Sequence, residues 1–232
     1  MRRMRAPGRP KREWLPLGGK ARSAKGAPMS RDPATAPPSA PARRISREEM
    51  SALPIRRYQG SVHVVAAQSE LQHALQDILQ ERVVGFDTET RPAFRPGESY
   101  LPSLVQFATA SAVYLLQVQQ QDLFGALREI LSSATIIKVG VSVTDDIRNL
   151  KRLFEFDERA VVDLGKVAAR HGLKQTGVRN LAGMFLGARI PKGAKTTNWA
   201  ARRLTPQQIA YAATDAWACR ELYLRFKELK MV

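Results

Sequence analysis

The sequence predicts an α/β protein with a mixed sheet flanked by helices. Residues 83–87 form an apolar run rich in β-branched side chains, which predicts a buried strand. Residues 104–109 and 112–118 are two more such runs joined by a short turn, which predicts a hairpin that extends the sheet. Segments with helical spacing of apolar residues alternate with these strands, an order typical of α/β folds. With 232 residues, 44% of them hydrophobic, the chain can bury a substantial core.

The first segment, residues 1–57, is predicted to be a disordered basic tail rich in Pro, Ala and Arg. It holds 15 Lys and Arg against four Asp and Glu, which accounts for most of the chain's net charge of +16. Low hydrophobicity with high net charge does not repay the entropy lost on ordering. Ser46 to Glu49 nevertheless has the sequence of a capped helical turn. The tail is expected to attract phosphate backbones without sequence preference.

The second segment, residues 58–232, is predicted to be the folded domain. Apolar residues alternate or cluster at strand spacing in six places, over residues 61–66, 83–87, 104–109, 112–118, 135–139 and 161–164. Helical spacing predicts helices over residues 71–79, 123–131, from 145 or 146 onward, 178–186 and 205–229. Gly187 is a candidate C-cap for the fourth of these helices. The elements alternate along the chain as a mixed sheet with helices on its faces requires.

The central strand ends in two carboxylates, Asp87 and Glu89, with one residue between them. Side chains two apart on a strand point the same way, so these acids share one face. Like charges held this close repel each other unless a cation lies between them or one carboxyl is protonated. Oxygen ligands of this kind suit Mg²⁺ or Mn²⁺. A solvated pair at a strand end is the alternative interpretation.

Two further stretches supply more candidate site residues. Tyr211 and Asp215 are four apart in the last predicted helix and therefore share a helix face. Asp145 and Asp146 follow the predicted strand at 135–139. With these residues in order, the chain resembles the DEDD superfamily of 3′-to-5′ exonucleases, in its tyrosine subclass. The resemblance spans about residues 62–226 and includes residues 102–107 and 197–199.

This resemblance implies a ribonuclease H-like form of the α/β fold and a metal-dependent 3′-to-5′ exonuclease. Two divalent ions, Mg²⁺ or Mn²⁺, would act at its site. The residues implied as metal ligands are Asp87, Glu89, Asp146 and Asp215, and Tyr211 is implied to orient the attacking water. The expected substrates are 3′ ends of single-stranded RNA or DNA, and the expected product is a nucleoside 5′-monophosphate.

The third acid is either Asp145 or Asp146. In the family a hydrophobic residue follows the aspartate directly or four positions later. Asp146 has Ile147 next and Leu150 four later, whereas Asp145 has Asn149 at that distance. The pattern favours Asp146.

Six residues are candidate nucleic-acid contacts. Thr88 and Thr90 flank the acid pair, and the others precede the last helix: Lys192, Lys195, Asn198 and Trp199. Trp199 is expected either to stack on a base or to be a buried structural residue. The lysines are expected either to track phosphates or to be a solvated face.

The composition limits the other possibilities. There is no apolar run of eighteen or more residues, so no membrane partner is expected, and the basic start lacks the apolar stretch of a secretory signal. Cys219 is the single cysteine, which rules out an intrachain disulfide and a multi-cysteine zinc site and suits the cytoplasm. The main alternative function is a non-catalytic nucleic-acid-binding module of the same fold. The oligomeric state does not follow from the sequence.

Overall fold

A six-stranded mixed sheet forms the centre of the protein, with the strands in the order β1-β4-β3-β2-β5-β6. The computed structural model describes residues 44–232 apart from residues 66–67, 96 and 194–196. Strand β2 is antiparallel to β3 and parallel to β5, and the β3-β4 pair is the predicted hairpin. The strands are β1 Ser61–Val65, β2 Val83–Thr90, β3 Pro102–Ala108, β4 Ala112–Gln117, β5 Ile137–Gly140 and β6 Val161–Asp163. The predicted mixed α/β architecture is confirmed.

The helices follow the strands as the sequence predicts. They are α1 Arg47–Ala52, α2 Gln68–Leu79, α3 Phe124–Ser132, α4 Val143–Leu150, α5 Leu164–Arg170, α6 Val178–Leu186 and α7 Pro206–Glu228. Helix α7 begins at a capping box in which Thr205 and Gln208 bond reciprocally, and α6 ends at Gly187 in the left-handed conformation. Among the described residues, no helix is both long enough and apolar enough to cross a membrane.

The two faces of the sheet pack against different sets of side chains. On one face, apolar side chains of the strands, among them Phe86 and Phe107, pack under α2, α3 and α4. On the other face, residues such as Leu104 and Leu115 pack against small residues of α7, including Ala212. Large side chains cover the first face, whereas the small residues of α7 let this helix lie close to the strands on the second face.

Gly85 sets how closely α7 approaches β2. A Cβ atom added at this position would lie 1.9 Å from the carbonyl oxygen of Ala216 in α7. The helix backbone therefore rests directly on the strand, two residues before Asp87. Because α7 also contains Tyr211 and Asp215, this contact brings the candidate site residues of the helix up to those of the strand.

The boundary predicted at residue 57 differs from the structure. Helix α1 lies inside the range predicted as disordered, because the Ser46 and Glu49 capping box closes its first turn and the segment has tertiary partners. Ile45 N–H donates to the Gln175 side chain, and Ile55 forms a parallel bridge with Arg189. The predicted disorder of residues 1–43 lies outside the described part of the chain and stays a prediction.

Candidate active site

Three carboxylates meet between β2 and α7. Asp87 and Glu89 come from the end of the strand, and Asp215 comes from the third turn of the helix. Each offers an oxygen atom, and these oxygens all lie within 4.8 Å of one another. Glu89 and Asp215 are buried and Asp87 is partly buried. The β2 ladder shifts register between Glu89 and Thr90, which ends regular pairing at the acids.

The crowding of the acids raises their pKa values. Burial, followed by the charges of Asp215, Glu89 and Asp146, raises the pKa of Asp87 well above its ordinary range. Burial raises the pKa of Asp215 to about 6, although hydrogen bonding from Tyr211 and the charge of Arg179 oppose the rise. One Asp215 oxygen, Oδ1, is buried and has no hydrogen-bond partner among the described residues. The cluster therefore holds more negative charge than the protein around it neutralises.

Asp146 approaches the site from the opposite face of the sheet. It lies in α4, where its Oδ1 accepts a hydrogen bond of 2.5 Å from the hydroxyl of Thr88. Burial raises the pKa of Asp146, and the Thr88 hydrogen bond opposes that rise. Asp145 points to solvent instead, with its side chain 73% exposed and paired to Arg148 at 2.6 Å. Of the two candidates for the third acid, Asp146 is the one whose side chain the structure places beside β2.

Tyr211 lies one helical turn before Asp215 and lines the same cavity. Its ring lies against the backbone of Gly193, where an added Cβ would be 1.6 Å from the ring. The ring centres of Tyr211 and Trp199 are 6.0 Å apart. Burial, with the charges of Asp215 and Glu89, raises the pKa of the Tyr211 phenol far above its ordinary value. The phenol is therefore protonated at neutral pH and can donate a hydrogen bond.

Asp87, Glu89 and Asp215 line an open cavity of about 1050 Å³, together with Thr88 and Tyr211. The rest of the lining comes from the segment around α1, the start of α6 and the loop after α6, and it includes the basic residues Arg47, Arg179, Arg189 and Lys192. The cavity is therefore lined by both acidic and basic side chains.

The predicted nucleic-acid contacts have different outcomes. Thr88 is buried, and its hydroxyl is engaged by Asp146, whereas Thr90 is partly buried at the end of β2. Lys192 is exposed and lines the cavity. Asn198 is exposed, and its Oδ1 accepts a hydrogen bond from Ala200 N–H.

Of the other two candidates, the structure describes Trp199 but not Lys195. Trp199 is 0% exposed and packs in the core with Ala212 and Leu104, so the stacking interpretation is wrong and the structural one holds. Its ring offers no face to a base because α7 and the sheet cover it. Lys195 lies outside the described residues, and its contact with nucleic acid stays a prediction.

Several residues of the site had no signal in the sequence. Arg179 donates through Nε to the carbonyl oxygen of Ile190, which holds its guanidinium at the cavity wall. Gln106 is paired with Asp87 in the β2-β3 ladder and is fully buried, and within the described part of the chain neither side-chain amide atom has a hydrogen-bond partner. Arg47 and Arg189 join the site from segments distant in sequence. A single arginine in a helix, or a glutamine in an apolar strand, has no sequence spacing that would mark it as a residue of the site.

Comparison with known proteins identifies the family. The sequence profile described as 3′-5′ exonuclease matches residues 62–229, more than half of the chain. The chain belongs to the 3′-5′ exonuclease family. The acids and Tyr211 all fall inside the matched region, and its relatives place it in the DEDD superfamily. The resemblance inferred from residues 87–215 is confirmed.

Three relatives illustrate the similarity. The bifunctional 3′-5′ exonuclease/ATP-dependent helicase WRN of Mus musculus is 30% identical over 188 residues, covering 76% of this chain and 13% of that protein. Ribonuclease D of Haemophilus influenzae is 32% identical over 149 residues, covering 62% and 36%. The crystal structure of the Aedes aegypti Nibbler EXO domain superposes with a TM-score of 0.66 at 25% identity, covering 77% and 93%. The ribonuclease H-like fold is thereby confirmed, and the chain spans well under half of the two full-length relatives.

The residues of the site fit a divalent cation. The donors are carboxylate oxygens from two elements, with no His or Cys among them, and they are close enough to share an ion. Their raised pKa values and the unbonded Asp215 Oδ1 are the features that bound positive charge would relieve. Oxygen ligands of this kind suit Mg²⁺ and Mn²⁺ alike.

Proposed function

We propose that this protein is a metal-dependent 3′-to-5′ exonuclease that hydrolyses single-stranded nucleic-acid ends to nucleoside 5′-monophosphates. The observation that supports it most is the convergence of Asp87, Glu89 and Asp215 within 4.8 Å in an open cavity beside Tyr211. Membership of the 3′-5′ exonuclease family gives the direction of attack. The volume of the cavity, about 1050 Å³, is at the upper limit of typical ligand sites.

Asp87, Glu89 and Asp215 would hold the first of two divalent ions. Asp87 would also help to hold the second, with Asp146 contributing from its position beside Thr88. When bound, such ions lower the pKa of the attacking water and neutralise the charge on the leaving 3′ oxygen. This chain's contribution is to hold four carboxylates on two sides of one strand end. The two-ion arrangement is part of the proposal.

Tyr211 would orient the attacking water. Its phenol is protonated at neutral pH, so it can donate a hydrogen bond without adding negative charge beside the acids. Gly193 leaves room for the ring because it has no side chain. Arg179, with its guanidinium held by the Ile190 carbonyl, would offset part of the negative charge of the cluster.

The substrate would enter with its 3′ end at the acids. Lys192 lines the cavity and would contact a phosphate of the strand. Relatives named as ribonuclease D and as a helicase-linked exonuclease leave both RNA and DNA as substrates to be compared. The expected cytoplasmic location stays a prediction.

The test uses single-stranded RNA and DNA of one sequence, labelled at the 5′ end and incubated with Mg²⁺ or Mn²⁺. We expect a ladder that shortens from the 3′ end. The ladder should be absent with a chelator and with Asp215→Asn, which keeps the size of the side chain but removes its charge. Comparison of the two substrates ranks RNA against DNA.

Other outcomes point to other functions. Internal fragments would indicate an endonuclease of the same fold. Intact substrate together with salt-sensitive binding would favour the non-catalytic nucleic-acid-binding module. A full ladder with Asp215→Asn would show that the acid cluster is not the catalytic site.

A further inference from the structure

The segment at residues 45–55, which we call the α1 arm, lines the catalytic cavity although it lies outside the family match. The match begins at residue 62, whereas the cavity wall includes Ile45, Arg47, Met50, Ser51 and Ile55. The arm therefore lies before the residues that the family profile matches. Its side chains and the three acids line the same cavity.

The arm is fixed to the domain at both ends. At its start, Ile45 N–H donates to the Gln175 side chain at 2.8 Å. At its end, Arg189 N–H donates to the Pro54 carbonyl and Arg56 N–H donates to the Arg189 carbonyl, at 2.9 and 3.1 Å. These main-chain bonds hold the arm against the loop that follows α6, so its side chains are held near fixed positions.

The middle of the arm packs on a glycine of α6. A Cβ added at Gly183 would lie 2.6 Å from Met50 Cε and 2.9 Å from Ile45 Cδ1. This contact turns the apolar side of the arm toward the domain. Arg47 is exposed and lines the cavity, and no ion pair of its side chain occurs among the described residues.

The cavity is lined by charges of both signs. A strand whose 3′ end reaches Asp87, Glu89 and Asp215 brings further phosphates that those acids repel. Arg47 on the arm and Arg189 at its anchor line the same cavity. These arginines offer cations to the phosphates of a strand whose end lies at the acids.

We propose that the α1 arm binds the single-stranded nucleic acid upstream of the terminal nucleotide, with Arg47 and Arg189 contacting its phosphates. This inference rests on the proposed exonuclease function and adds the part of the substrate that the arm recognises. Phosphate contacts of this kind position a strand without reading its sequence. The arm thus favours substrates long enough to reach it over the shortest ones.

The experiment compares the full chain with Arg47→Glu on two 5′-labelled single-stranded substrates, a dinucleotide and a twelve-nucleotide oligomer. The matched control is Arg152→Glu, which makes the same change of charge at an exposed arginine two residues after the end of α4. The dinucleotide contains only the phosphodiester that is cleaved, so it cannot extend onto the arm. KM and kcat are measured for each pair.

We expect Arg47→Glu to raise KM for the oligomer by roughly tenfold more than for the dinucleotide, because upstream phosphates are contacted only by the longer strand. Arg152→Glu should change KM little and by the same factor for both substrates. An equal change on both substrates with Arg47→Glu would mean a structural effect and would overturn the inference. Faster cleavage of the oligomer would also overturn it, since the arm would then obstruct the strand.

A binding measurement separates failure of this inference from failure of the proposed function. Anisotropy of the labelled oligomer in EDTA requires no turnover, and losing one phosphate contact should flatten the salt dependence by about 0.7 in the log–log slope. If the wild-type chain binds the oligomer but cleaves neither substrate, the exonuclease proposal fails while the arm is still tested. If cleavage proceeds and the salt slope of Arg47→Glu is unchanged, the arm proposal alone fails.

Discussion

Alternate residues of the same strands serve opposite purposes on the two faces of the sheet. Toward α2 and α3, Phe86 of β2 packs on Phe107 of β3 with ring centres 5.6 Å apart. Toward α7, the neighbouring ladder pair is Asp87, an acid with a raised pKa, and Gln106, a buried amide that no described residue hydrogen-bonds. The first face stabilises the fold, and the second contains groups that destabilise it until they bind something.

This difference shows how the domain tolerates its own site. Buried aromatic side chains contribute about 1.5–3 kcal/mol each by leaving water, whereas an unbonded buried polar group costs about 1–3 kcal/mol. The period of two in a strand lets one sequence supply both layers without mixing them. Substitutions on the two faces should therefore affect different measurements.

The largest effect is expected for Asp87→Asn on the α7 face. It should lower the exonuclease rate by roughly 10³-fold or more, since in the proposed mechanism this acid would hold both ions. Stability in a chelator should be unchanged or higher, because one repelling charge is removed from the cluster. Rate assays and urea unfolding of the same preparation check this. Loss of activity accompanied by unfolding would break the contrast between the faces.

Phe86→Ala on the opposite face should act through stability. Removing a fully buried phenylalanine from a packed core costs about 3–5 kcal/mol. The urea midpoint should fall accordingly, while the activity of the fraction that remains folded is largely retained. If the folded fraction loses activity as fully as Asp87→Asn, the two faces are not separable.

Gly85→Ala lies on the α7 face and should affect both measurements. Its Cβ would meet the Ala216 carbonyl oxygen, so α7 must move away from β2. Overpacking of this kind costs about 1–3 kcal/mol. Because α7 contains Asp215 and Tyr211, we also expect slower cleavage without removal of any catalytic group. Normal kcat in this variant would show that the site tolerates displacement of the helix.

The charge of the α7 face should make stability depend on pH. The pKa of Asp215 rises from 3.8 to about 6 on folding, so the folded protein binds more protons than the unfolded chain between these values. Without metal, its contribution therefore becomes less destabilising as the pH falls through that window. Urea unfolding in EDTA should show the stability difference between Asp215→Asn and wild type shrinking from about pH 7.5 to about pH 5. A stability difference that is constant with pH would contradict the raised pKa of Asp215. Added Mn²⁺ should stabilise the wild type more at the higher pH.

The smallest effect is expected for substitution of Asp145, although its neighbour Asp146 is expected to contribute to cleavage. Asp146→Asn should slow cleavage by roughly ten- to a hundredfold, since Asp146 is bonded to Thr88 at the strand end. Asp145→Asn removes only an exposed ion pair and should change stability by at most about 0.5 kcal/mol. The cleavage rates of both variants decide which aspartate is the third acid. A larger loss with Asp145→Asn would reverse the assignment of the third acid.

The sequence predicted the acidic residues of the cavity but few of its basic residues. Asp87, Glu89, Tyr211 and Asp215 are found together because strand and helix periodicities place each pair on one face. The basic residues Arg47, Arg179 and Arg189 come from three separate segments with no shared spacing. The tail boundary at residue 57 was misplaced for a related reason, because composition indicates a charged segment but not the partners that order it.

Local chemistry thus determined the strands, the helices, the acid pairs and the family to which they belong. Tertiary contacts decided which of two adjacent aspartates faces the site, why Trp199 is a core residue and how close α7 lies to β2. The physical reason is the range of the interactions. Periodicity and capping act within a few residues, whereas burial and the sharing of charge depend on segments that meet only after the chain has folded.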